Sequence, residues 1–189
     1  MIGPILGKLA FKMHGWTYEI NPEAVSDPKN VFIGFPHTTN FDTLHALAVL
    51  QILQLNYHIL VKQEWFRYPL VGSFMKGLGC IPVDREKSKN VVQQMVEEFA
   101  SHERFTLTIA PEATRGKDGE KRPFRTGFWH IAKATNVPIV LMASDIKNKV
   151  GRVFAKVYPS DSMDNDLLEI QRLYAEYGIE ITLPTKMAQ

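Results

Sequence analysis

Apolar and polar positions along this chain follow two periods. Short apolar runs, "VFIGF" (31–35), "YHILVK" (57–62), "CIPV" (80–83), "FTLTIA" (105–110), "PIVLMA" (138–143) and "RVFAKVY" (152–158), read as strands. Between them apolar residues recur at helical spacing. Phe41 to Leu55 forms one such stretch, with Thr39 or Asn40 as its N-cap and Asp42 in the first turn, where negative charge is favoured. Tyr68 to Gly79 predicts a short helix ended by glycine, and Ser88 to His102 a helix with Val91, Val92, Met95 and Phe99 on one side. Two more helices are predicted, one of about ten residues from Gly127 and one near Asp164 to Tyr177.

Strands alternating with helices imply an α/β fold, a single domain with a mostly parallel central sheet covered by helices on both faces. Ligands of such sheets bind beyond the carboxyl ends of the strands. Three polar segments occupy those places: "PHTTNFD", "PVDREK" and "PEATRGKDGEKRPFR". The last is longer than most loops joining a strand to a helix, which points to binding.

The N-terminal "MIGPILGKLAFKMHGW" carries another pattern. At helical pitch Ile2, Ile5, Leu6, Leu9, Met13 and Trp16 share a face, while Lys8 and Lys12 lie off it. The stripe fits an amphipathic helix lying in a membrane interface, and it equally fits a helix packed on its own domain. The expected division is therefore a membrane-docking helix over 1–20 and the main domain over 21–189. The lysines interrupt the apolar region and no small-residue cleavage site follows, so a signal peptide is not expected. A membrane span needs about 20 apolar residues, and the greasiest stretch, Phe41 to Leu55, is broken by Asp42, His45, Gln51 and Gln54.

Composition narrows the chemistry. With 189 residues the chain can bury one sizeable core, and 45% hydrophobic against 22% charged residues excludes a disordered or collagenous class. A net charge of +2 gives no global field for nucleic acid, and the basic residues lack interleaved aromatics. Cys80 is the lone cysteine, which excludes an internal disulfide and a cysteine zinc cluster and fits a reducing compartment. Its apolar neighbours mark it as a small core residue rather than a nucleophile. No nucleophile elbow, dinucleotide fingerprint or P-loop is present.

His37 and Asp42 bracket four residues just past the first strong strand. A histidine is the natural general base near neutral pH, and a carboxylate on its far ring nitrogen fixes the tautomer and stabilises the imidazolium. The spacing lets the chain fold back so that the two side chains meet. The bland alternative is a loop histidine beside a helix-capping aspartate. Without a protein nucleophile, the base would activate a substrate hydroxyl or water. Arg85 follows one strand and Arg115 another, with Lys117, Lys121, Arg122 and Arg125 close behind. Arginine forks bind phosphate oxygens bidentately, so two of them at one crevice would select an anionic head group; a solvated basic loop balanced by Asp118 and Glu120 is the alternative. Glu112 could bind an acceptor hydroxyl or brace an arginine, and Thr114 could bond phosphate or stabilise the turn.

Taken in order, "HTTNFD", "GCIPVDR", "PEATR" and "VPIV" resemble the four motif blocks of the glycerolipid acyltransferases, the family typified by 1-acylglycerol-3-phosphate acyltransferase. The resemblance spans Val31 to Ala143. It implies acyl transfer from a coenzyme A or acyl carrier protein thioester to the hydroxyl of a lysophospholipid, with the thioester as a substrate and no cofactor or metal. It makes His37 the base and Asp42 its orienting carboxylate, and places Arg85, Glu112, Thr114 and Arg115 at positions that bind the phosphorylated acceptor. Pro138 falls in the hydrophobic fourth block. The third block departs from the usual Phe-Pro-Glu-Gly-Thr-Arg, having Ala110 and Ala113. Peripheral attachment to a membrane from the cytoplasm, through the N-terminal stripe, is the expected location. A lipid or thioester hydrolase using the same dyad on water and a silent lipid-binding module are the rival functions.

Overall fold

Val31, Phe32 and Ile33 have no exposed surface, because successive side chains of one strand enter cores on opposite faces of a sheet. That strand is the centre of the molecule. The computed structural model describes residues 3–35, 40–84, 88–111 and 125–184, with the backbone alone described for residues 3, 6, 10, 35, 40–45 and 88–90. The strands are β1 (Thr17–Ile20), β2 (Lys29–Phe35), β3 (Tyr57–Lys62), β4 (Cys80–Val83), β5 (Phe105–Ile109), β6 (Ile139–Asp145) and β7 (Val150–Val157), in the spatial order β1-β7-β6-β2-β5-β3-β4. β2 to β6 are mutually parallel; β7 runs against β6, and β1 pairs with β7 in parallel.

Among the described residues six α-helices accompany the sheet: α1 (Gly3–Met13), α2 (Asn40–Ile52), α3 (Pro69–Gly77), α4 (Ser88–Ser101), α5 (Gly127–Thr135) and α6 (Met163–Ala175). On one face Val31, Ile33, Leu107 and Leu141 meet Met95 and Phe99 of α4, Phe128 and Ile131 of α5, and Leu167, Ile170 and Tyr174 of α6. On the other, Phe32, Val140, Met142 and Val153 meet Phe11 of α1 and Ala48, Val49 and Leu50 of α2. The expected α/β class with helices on both faces is what the chain adopts.

Strands β2 and β7 each begin two residues earlier than expected, and two helix ends differ for a visible reason. The helix expected to reach Leu55 stops at Ile52, because Gln54 takes a left-handed φ of 55° and Leu55 N–H closes back on the Leu50 carbonyl at 3.2 Å. The N-terminal helix ends at Met13. There Gly15 (φ 66°) allows Trp16 N–H to reach the Phe11 carbonyl at 2.8 Å, and the Phe11 and Trp16 rings meet edge-on, closing a Schellman motif. The chain then leaves as β1, a strand that the expected 1–20 segment did not contain. The glycine stop of α3 is as expected: Gly79 has φ +77°, and a β-carbon there would stand 2.5 Å from the Tyr57 carbonyl oxygen.

Candidate active site

Parallel pairing decides where the chemistry-bearing segments leave the sheet. Ile33 sits beside Ile109, Phe35 beside Ala143, and Lys62 beside Val83, so β2, β5, β6, β3 and β4 all end at one edge. β2 and β5 are adjacent there; β4 lies two strands beyond β5. His37 follows β2 by two residues, Arg85 follows β4 by two, and Glu112 to Arg115 begin three residues after β5. Asp42 is the third residue of α2, the helix that starts from the same edge. His37, Arg85, Glu112, Thr114 and Arg115, and the side chain of Asp42, lie outside the described residues. The described structure thus brings together the strand ends that carry these residues.

The frame around that edge is firmly built. Ala48, Val49 and Leu50 are buried against the sheet, which fixes how α2 is rotated and where its first turn stands. The long polar segment is closed at its base: Arg125 N–H donates to the Pro111 carbonyl at 3.0 Å, and Pro111 is buried. Pro111 and Arg125, the residues that flank the 112–124 stretch in sequence, therefore meet just past the end of β5. Immediately after it, Phe128 and Trp129 anchor α5, with Trp129 Nε1–H donating to the buried Asp166 at 2.7 Å. Asp166 also accepts Ser160 N–H at 2.7 Å, so this buried carboxylate is occupied structurally.

His58 and Cys80 lie away from that edge. Burial lowers the His58 pKa, and its ring stacks on Phe105 with centroids 4.2 Å apart. His58 is the second residue of β3, at the amino edge of the sheet, remote from the strand ends that precede the predicted base. Cys80 opens β4 at that amino edge too; it is half-buried rather than part of either core cluster, and burial pushes its thiol pKa up, which does not suit a nucleophile.

At the carboxyl edge sequence reasoning missed one carboxylate. Asp145, the last residue of β6, accepts Asn148 Nδ2–H at 2.8 Å, Asn148 N–H at 3.0 Å and Arg152 Nη1–H at 2.6 Å. The Asn148 and Arg152 bonds outweigh the cost of burial and hold its pKa at about 2. Arg152 is shared with Glu19 of β1 at 2.8 Å, which ties the edge strand to the β6–β7 hairpin. The Asp-x-x-Asn spacing of the turn was the available signal. Among the described residues no group of three or more histidine, cysteine or carboxylate side chains could hold a metal ion.

The N-terminal helix turns out to face two ways. Phe11 is buried and Gly7 abuts α2, whereas Ile5, Leu9 and Met13 are 67%, 49% and 73% exposed, with Lys8 and Lys12 exposed beside them. Of the apolar stripe, Trp16 packs against Phe11 while Ile5, Leu9 and Met13 remain outside. No helix among the described residues is long and apolar enough to cross a membrane.

Comparison with known proteins adds the following. The sequence profile of the family described as Acyltransferase matches residues 19–144. The chain is 28% identical over 144 residues to a 1-acyl-sn-glycerol-3-phosphate acyltransferase of Limnanthes alba, covering 75% of this chain and 50% of that protein. It is 28% identical over 185 residues to a protein of the same name from Salmonella typhimurium, covering 93% and 70%. The chain thus spans about half the length of the plant relatives it matches. Its fold is shared by the crystal structure of the 1-acyl-sn-glycerophosphate acyltransferase of Thermotoga maritima, with a TM-score of 0.64 at 17% identity over 93% of this chain and 76% of that one.

Proposed function

Because this chain belongs to the acyltransferase family, we propose that it transfers a fatty acyl group from a coenzyme A or acyl carrier protein thioester to the free hydroxyl of a lysophospholipid such as 1-acylglycerol-3-phosphate. The observation that carries the reading is topological: β2, β4 and β5, the strands that precede His37, Arg85 and Glu112, end at one edge of one sheet. Relatives named for this reaction support the acceptor class.

In this reading His37 removes the acceptor hydroxyl's proton as that oxygen attacks the thioester carbonyl, and Asp42 holds the imidazole in the tautomer that can accept it. The tetrahedral intermediate collapses by breaking the carbon–sulfur bond, and the imidazolium returns the proton to the leaving thiolate. An ester and a free thiol result, with no cofactor consumed. Arg85 and Arg115 hold the acceptor phosphate, while Glu112 and Thr114 orient its glycerol or the arginines themselves. The strand ends span about 14 Å from β2 to β4 at ordinary strand spacing, so base and head-group arginines can attend to different parts of one acceptor. The exposed stripe of α1, with Lys8 and Lys12, gives weak, reversible attachment to the cytoplasmic surface of an anionic membrane, where such acceptors reside.

The test is a thioester-release assay over a panel of lyso acceptors with and without phosphate, His37→Ala serving as control. Acylated acceptor is expected, and its formation should disappear in the variant. Free fatty acid without acylated acceptor would assign the dyad to hydrolysis, and intact thioester with every acceptor would leave a binding module.

A further inference from the structure

A second apolar surface lies apart from α1. From the carboxyl end of β3 the chain enters a 3-10 turn (Gln63–Arg67) and then α3, and this stretch exposes Trp65, Tyr68, Leu70, Phe74 and Leu78. Leu70 is 89% exposed and Phe74 66%, and the two stand four residues apart on one helical face. The opposite side of α3 is committed to the fold: Gly72 is buried, and a β-carbon there would stand 3.1 Å from the Phe66 carbonyl oxygen. The helix is therefore held with its apolar face outward.

Charge indicates what covers it. Lys62, Arg67 and Lys76 are exposed along the same stretch, and Glu64 is the one carboxylate between Lys62 and Leu78. A second copy of the chain seated through an isologous contact would press two faces of the same positive sign together. An anionic lipid surface meets them with the opposite sign, while tryptophan and tyrosine favour the headgroup level and leucine and phenylalanine the acyl boundary.

Position gives the face a purpose. Because β3 ends at the carboxyl edge, the 3-10 turn starts at the edge that carries the candidate site. α1 stands toward the other end of the sheet: a β-carbon on Gly151 of β7 would lie 3.0 Å from the Phe11 ring. β1, which follows α1, begins at the same carboxyl edge because it runs opposite to β2. Between β7 and β3 lie β6, β2 and β5, so about 19 Å separates the strands beneath the two apolar surfaces, with the ends of β2 and β5 between them.

We propose that the Trp65–Leu78 face docks into the headgroup and acyl boundary of an anionic phospholipid bilayer as a second contact alongside α1, seating the carboxyl edge of the sheet against the lipid surface. Two linked weak contacts bind far more tightly than either alone. The inference concerns binding, and its measurement uses neither thioester nor acceptor, so it stands or falls separately from acyl transfer.

The experiment is co-sedimentation of the full chain with phosphatidylcholine vesicles, with and without phosphatidylglycerol. Leu70→Ser with Phe74→Ser should lower partitioning onto phosphatidylglycerol vesicles by about tenfold or more, with an unchanged melting temperature because both side chains are already in water. Arg67→Glu with Lys76→Glu should abolish the preference for phosphatidylglycerol. In a Trp16→Phe background, where Trp129 is buried, Trp65 emission should shift to the blue on vesicle addition. Undiminished partitioning of the Leu70, Phe74 double variant would overturn the proposal. So would a concentration-dependent dimer dissolved by that variant without vesicle binding, which would assign the face to a second copy of the chain.

Discussion

A β-carbon on Gly7 would stand 2.7 Å from the carbonyl oxygen of Ala48, so α1 and α2 touch backbone to backbone at that point. The contact, with Phe11 buried nearby, orients α1 and leaves Ile5, Leu9 and Met13 on its far side. Alanine at position 7 gains about 1 kcal/mol in helix propensity and loses about 1–3 kcal/mol to the clash with a carbonyl that cannot rotate away. Gly7→Ala should therefore lower the melting temperature by a few degrees. A variant that melts at or above the parent temperature would show that the helices have room to part.

The Tyr174 hydroxyl, fully buried, lies 3.0 Å from the carbonyl oxygens of both Ile33 and Met142 and so clamps α6 onto β2 and β6. Burial raises its pKa far above neutrality, so it remains a donor at any working pH. Tyr174→Phe should cost about 1–2 kcal/mol in urea unfolding, the price of leaving buried carbonyls short of a donor. Activity per folded molecule should be unchanged.

How much of this was readable beforehand follows from the physics of each element. Val31, Phe32 and Ile33 announced a strand buried on both faces because no exposed strand tolerates three consecutive large apolar residues. Gly79 announced the end of α3 because left-handed backbone favours glycine. Gln54 uses the same backbone without that signature, and α2 was expected three residues too long. β1 was invisible: Thr17–Ile20 is mostly exposed, and pairing with β7 rather than an apolar pattern defines it. In α1 the stripe was legible, but the packing side depends on Phe11 and on the smallness of Gly7, which periodicity does not weigh. The strand ends of the site were legible because a parallel sheet must deliver its polar segments to one edge. Whether His37 and Asp42 touch belongs to side chains outside the described residues.

Asp145 gives the fold an acid-sensitive joint. Its folded pKa of about 2 lies below the ordinary aspartate value of 3.8, held there by Asn148 and Arg152. A depressed carboxylate contributes stability that is complete above the unfolded pKa and is lost as pH falls through the folded one, here between about pH 4 and 2. Asp145→Asn should lose about 1–2 kcal/mol at pH 7, and the gap to the parent should close toward pH 2. Unfolding curves at pH 7, 4 and 2 would decide it; a gap that stays constant with pH would remove the charge from the explanation.

The division of labour proposed along the carboxyl edge makes a kinetic prediction that a merely structural role for the same residues would not reproduce. General base catalysis contributes about 10² to 10⁴ in rate, so His37→Ala should lose at least that in kcat at saturating acceptor, and Asp42→Asn should lose less because the imidazole remains but is poorly oriented. Arg85→Ala and Arg115→Ala should act on binding instead. Each removes charge-assisted bonds worth about 1.5–3 kcal/mol, which raises KM for a phosphorylated lyso acceptor by about 10- to 150-fold and leaves KM for the thioester near its parent value. Comparing acceptors with and without the phosphate isolates this effect. The arginine variants should erase the discrimination between them, while the His37 variant slows both alike. Equal losses for both acceptors in the arginine variants would detach Arg85 and Arg115 from the head group and leave the phosphate to other basic residues, Lys117, Lys121 or Arg122 among them.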